Sequence, residues 1–112
     1  MSDFFDSEIV QKEIDIISAL QKRVYQSTLQ YLMYNYEEKK HHIQLVKDLL
    51  DKQKILHTRL SLSDDPDAKR LIEKMLAASK RLGMPSHMTM REIFNHLETE
   101  LLKLEELLDN EE

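Results

Sequence analysis

The sequence predicts an all-α fold: an elongated domain of four helices whose first two form a long antiparallel hairpin and whose last resembles a coiled-coil strand. Three observations carry that expectation. One glycine and two prolines among 112 residues leave almost no punctuation for tight β-hairpins, which excludes an all-β fold. Apolar residues recur at three- and four-residue spacing in four blocks, each opened by a capping residue. Hydrophobic residues are 41% and charged residues 33% of the chain, enough apolar material for one core under a strongly solvated surface.

The first helix is expected over residues 6–34. Asp6 is placed to cap it by accepting from the amides of the first turn, and Phe5 to staple onto Val10. Its stripe is Val10, Ile14, Ile17, Val24 and Tyr31, with Gln21 and Thr28 at the two remaining stripe positions. Such a helix is about 42 Å long at 1.5 Å per residue, more than the diameter of a compact globule of this size. The molecule is therefore elongated, or the helix is completed by another subunit.

Asn35, with Glu38 three residues on, reads as a reciprocal cap that starts a second helix over residues 36–60. Because no Gly or Pro separates the two blocks, one continuous helix to Leu60 stays open as the alternative. The second stripe is His42, Val46, Leu49, Gln53, Leu56 and Leu60, widened by Ile43 and Leu50. Folding back near residue 36 sets Gln21 level with Gln53, so that a polar layer between them would fix register.

Asp65 as cap and Pro66 at the first helical position open a third helix over residues 66–82, which Gly83 ends and Pro85 prevents from resuming. Thr89 and Glu92 form a capping box for the last helix, residues 90–108. That helix has the sharpest period in the chain: Met90, Phe94, Leu97, Leu101, Leu104 and Leu108 recur at four, three, four, three, four. This is a coiled-coil seam or the core face of a bundle helix.

The formal net charge is -5, unevenly spread. Residues 1–15 carry five acids and one base, residues 98–112 seven acids and one base, and residues 16–97 nine acids and 14 bases. The acidic ends can fold over the basic middle, but the simpler expectation makes Glu105 to Glu112 a frayed, solvated tail.

Chemistry is harder to find. The chain has no cysteine, which removes disulfides, a thiolate nucleophile and Cys-based zinc sites together. Glu38 shares a helical face with His42 and stands three residues from His41, but a helical metal site needs at least three converging ligands, no His-x-x-x-His pair occurs, and His57, His87 and His96 lie in other blocks. No metal or cofactor is expected, and His42 is expected to lie against Tyr31 across the hairpin. Acid pairs three apart, Asp48/Asp51 and Glu106/Asp109, have the spacing used by all-helical, magnesium-dependent nucleotide pyrophosphohydrolases. Yet Asp48 and Asp51 stand four residues from Lys52 and Lys47, the pattern of a solvated salt-bridged face.

Residues 75–93 have the outline of a helix-turn-helix. A recognition helix opening on Met90, Arg91 and Glu92 in an acidic chain offers little to phosphate, so nucleic acid is not an expected partner. No apolar run approaches the roughly 18 residues of a membrane span, and the acidic start lacks the basic region of a signal peptide, so a cytoplasmic location is expected.

Phe4-Phe5-Asp6-Ser7-Glu8-Ile9-Val10-Gln11, then Lys39-Lys40, Ile43, Leu49, Asp51, Ile55 and Arg59, then Leu62-Ser63-Asp64-Asp65 resemble a small all-helical family of cyanobacteria and their phages, catalogued as a domain of unknown function. The resemblance is densest over the first eight of these residues and the second helix. It spans residues 4–65 and is loose over the last two helices. His41 and His42 replace the apolar or neutral residues of that family. The resemblance implies a cyanobacterial or phage source and a cytoplasmic setting, the host's cytoplasm if phage-encoded, and it implies no catalytic residue.

These readings lead to a non-enzymatic protein-binding or assembly module that forms a homo-oligomer. Four tyrosines, Tyr25, Tyr31, Tyr34 and Tyr36, crowd the bend, where rigid amphipathic rings suit an interface as well as they shield a turn. The expected partner-binding residues are Phe4 and Phe5 at the N-terminus, Tyr34 and Tyr36 at the bend, and Phe94, Leu97, Leu101 and Leu104 on the last helix. A stripe of that kind must be buried, by the long hairpin or by a copy of itself.

Overall fold

The structure, a computed structural model, describes residues 8–81 and 83–111. Four α-helices follow in order: α1 (Glu8–Gln30), α2 (Tyr36–Ser61), α3 (Pro66–Arg81) and α4 (Met90–Glu111), with a single 3-10 turn, Tyr31–Met33, between the first two. The all-α, elongated expectation holds. The radius of gyration is 15.7 Å with extents of 54 × 32 × 19 Å, whereas a compact chain of this length has a radius near about 13 Å.

The hairpin is closed where its caps place it. The Asn35 side chain accepts from the Glu38 amide at 2.9 Å and the Glu38 carboxylate accepts from the Asn35 amide at 3.1 Å, so two orphan donors are satisfied reciprocally. A continuous helix is thereby ruled out. The α-helical part of the first block stops at Gln30, short of the expected residue 34. With no glycine at hand for a left-handed C-cap, the chain tightens into the 3-10 turn, returns the Tyr34 amide to the Tyr31 carbonyl at 3.1 Å, and leaves in extended conformation. The proposed Asp6 cap and Phe5 staple lie outside the described residues.

Further along, Asp65 caps α3 by accepting from the Asp67 amide at 2.9 Å. At the other end the Met84 amide bonds the Ser79 carbonyl and the Gly83 amide the Lys80 carbonyl, with Gly83 at φ 106°. This nested pair needs the left-handed region that glycine enters without steric cost. Thr89 and Glu92 exchange hydrogen bonds at 3.2 Å at the start of α4, and the Thr89 amide and hydroxyl, both donating to the Glu92 carboxylate, hold that carboxyl below its ordinary value.

Helix α2 is the spine. On one side α1 lies antiparallel to it, with Ile17 buried against Leu56, Leu60 and Ala68. On the other, α4 packs Ile93, Phe94, Leu101 and Leu108 against Ile43 and Leu50. Helix α3 covers one broad face of this row, contributing Leu71, Ile72 and Met75 to the lower core. Its far end meets the start of α4.

The expectation of a frayed acidic tail from Glu105 is overturned. Residues 105–111 are helical, and Leu108, three per cent exposed, is part of the core. Lys47 meets Glu105 at 2.7 Å, Lys39 meets Glu111 at 3.5 Å, and Lys54 is bonded to Glu98. One base of α2 thus faces one acid of α4 at nearly every second turn, so the acidic end does fold over the basic middle, within the same chain.

Gln21 and Gln53 do line one cleft of about 320 Å³, together with Met75 and Ser79 of α3. The register drawn from the fold-back point is therefore sound. No hydrogen bond joins the two amides, because Gln21 is exposed on the edge of α1 while Gln53 is half-buried beneath α3.

Candidate functional site

Expected site residues fall into three groups. Phe4 and Phe5 lie outside the described residues. Phe94 and Leu101 are buried, and Leu97 and Leu104 are half-buried against the same core. The heptad seam is covered within the chain by α2, the first of the two covers expected for it. Leu97 and Leu104 keep part of their surface open.

At the bend, Tyr34 is half-buried and its hydroxyl donates to Gln30 Oε1 at 3.3 Å, while Tyr36 packs on the core and its hydroxyl donates to Asp109 Oδ1 at 3.3 Å. Tyr36 therefore anchors the end of α4 to the start of α2. Tyr31 lies 5.0 Å from the His42 ring, the arrangement expected for that histidine. On the opposite ring edge, His42 Nδ1 is 2.7 Å from Ser27 Oγ, a buried contact, and burial pushes the imidazole below its ordinary pKa. His57, edge-on to Phe94 with centroids 5.7 Å apart, is lowered for the same reason.

The pattern reading overlooked a second stripe on α1. Tyr25 is 66% exposed, Leu29 69%, Leu32 91% and Met33 88%. Tyr25, Leu29 and Leu32 follow at four and three residues and so share one side of the helix and its 3-10 extension, turned away from the Val10, Ile17 and Val24 side, with Met33 next to Leu32 at the turn. The signal was available: a helix whose apolar side chains continue about 100° round from the stripe already assigned cannot bury all of them against one neighbour. Lys22 and Arg23 flank the stripe.

The acid pairs do not converge. Asp48 accepts from Gln44 at 3.0 Å, and Asp109 is taken by Tyr36. Among the described residues no three His, Asp or Glu side chains form a group that could hold a metal ion. No helix among them is long and apolar enough to cross a membrane.

A family model described as a domain of unknown function, DUF1825, matches residues 2–108. The chain belongs to that family. The match extends the resemblance seen over residues 4–65 through α3 and nearly all of α4, so the DUF1825 domain takes in all four helices, including the acid-rich α4 that pairs with α2. No curated protein and no solved structure matches the chain.

Proposed function

We propose that this DUF1825 protein is a non-enzymatic docking and assembly module, and that the exposed stripe at the bend is its docking element for another protein. The observation that carries this reading is the exposure of Tyr25, Leu29, Leu32 and Met33 within nine consecutive residues. Scattered exposed apolar side chains are ordinary, but four large ones at one helical end, three of them on one side, form a patch that gains by being covered. A stripe spaced at four and three fits an apolar groove of a partner, as an amphipathic helix does. The seam residues of α4, by contrast, serve the chain's own core, which moves the expected contact from α4 to α1.

A photo-cross-linking amino acid placed at Leu32, and at Lys103 as control, tests this in a cyanobacterial lysate, the source that the resemblance implies. The docking reading expects discrete adducts from position 32 that vanish when Tyr25 and Leu29 are changed to Glu. Equal, diffuse labelling from both positions would overturn it.

A further inference from the structure

The row formed by α1, α2 and α4 has two broad faces, and α3 covers one of them. The other is marked out by three shallow clefts. Leu102 lies beside Lys47 and Asp51 in one, Ile16 and Ile55 lie beside Lys52 and Glu13 in the second, and Leu62 lies beside Thr58 and Arg91 in the third. Asp51, Ile55, Thr58 and Leu62 are spaced four, three and four along α2, so the three clefts flank a single ridge. On this face Ile16 is 46%, Ile55 52% and Leu102 59% exposed.

We infer that this uncovered face is where a second copy of the chain packs, ridge against ridge about a two-fold axis. The inference rests on the assembly half of the reading above and assigns it a surface distinct from the bend stripe. Area is one argument for a copy. The molecule measures 54 by 32 Å along its two longer axes, so a face filling only about half of that rectangle matches the roughly 800 Å² per partner of a standard stable interface.

Charge is the second argument, because a two-fold interface sets each patch against itself and a face of one sign would repel its copy. Here Lys47 is paired with Glu105, Lys54 with Glu98 and Arg59 with Glu13, all across neighbouring helices of one chain. With Asp51, Lys52 and Arg91 the face carries five bases and four acids, both signs interspersed with apolar side chains between them.

Sedimentation of the full chain across the micromolar range, with circular dichroism on each variant, tests the assignment. The wild type is expected at twice its 13.3 kDa, Ile55→Glu and Leu102→Glu as helical monomers, and Tyr25→Glu/Leu29→Glu as a dimer. A wild type that stays monomeric overturns the inference, as does a dimer that survives both face substitutions. A dimer lost with Tyr25→Glu/Leu29→Glu but kept with Ile55→Glu also overturns it, and places the self-contact at the bend.

Concentration-dependent methyl shifts of Ile16 and Ile55 in the unsubstituted chain supply a readout independent of any variant's folding. Concentration-independent shifts of both overturn the inference. The docking reading fails separately, on the cross-linking result, whatever the oligomeric state.

Discussion

Helices α1 and α4 flank the same spine, have similar length and both carry apolar stripes, yet they use them in opposite ways. The stripe of α4 is spent on α2: Ile93, Phe94, Leu101 and Leu108 are buried, and a line of lysine–glutamate pairs runs beside them. The bend half of α1 keeps Val24 half-buried and Ser27 inside but leaves Tyr25, Leu29 and Leu32 in solvent. A regular heptad is therefore no guide to an intermolecular surface when a neighbouring helix of the same chain can take it. The informative stripe is the one left over beside a side already buried.

The sharpest way to break this contrast is an acid in each stripe. Leu101→Asp buries a carboxylate without a partner and is expected to unfold the domain, seen as loss of helical dichroism, whereas Leu32→Asp should leave the urea midpoint nearly unchanged. A folded Leu101→Asp protein would remove the distinction between the two helices.

Next in size, Leu60→Ala, at a side chain with no exposure where α1, α2 and α3 meet, should cost about 2–5 kcal/mol in urea melts. Asn35→Ala deletes one side of the capping box and should cost about 1 kcal/mol, with the loss concentrated at the bend. Smaller still, Lys47→Met should change stability by no more than about 1 kcal/mol, since the pair it breaks with Glu105 is about one-third exposed on both sides.

Acid sharpens the comparison from the α1 side. His42 is pushed below its ordinary value of 6.5, so just beneath that value the unfolded chain holds the proton and the folded chain does not. Its contribution is complete above about pH 6.5 and is lost as pH falls. His57, beside α4, acts in the same direction. Thermal melts from pH 7 to pH 5 should therefore show falling stability, and His42→Gln should flatten part of that slope. An unchanged slope in His42→Gln would place the dependence on His57 or elsewhere.

Most of the fold was legible because its boundaries rest on local chemistry. Asn35 with Glu38, Asp65 with Pro66, Gly83, and Thr89 with Glu92 each bond within a few residues, so their pattern carries their meaning. The two ends of the long helices were not legible in the same way. Residues 105–111 stay helical through Lys39, Tyr36 and Lys47, which are about 60 to 70 positions distant, and no window around Glu105 contains them. The 3-10 ending of α1 likewise follows from the absence of a glycine and the demand of the next cap.

The site was less legible. Tyr34 and Tyr36 read as interface residues by type, but their hydroxyls are engaged by Gln30 and Asp109. Leu29 and Leu32 lay outside the stripe read on α1, and the burial of its Val10 and Ile17 side made their exposure conspicuous.

Because α2 lies between its two flanking helices, α1 and α4 are joined through it rather than to each other. The lower half of α1 is gripped by both α2 and α3, but its last turns and the 3-10 turn after them rest on α2 through Ser27 and Tyr31, both against His42. Those turns can lift away without disturbing the α2–α4 seam. Their amide protons should then exchange with deuterium through a small local opening, orders of magnitude sooner than those of Ile43 or Ile93, whose release requires the whole domain to open.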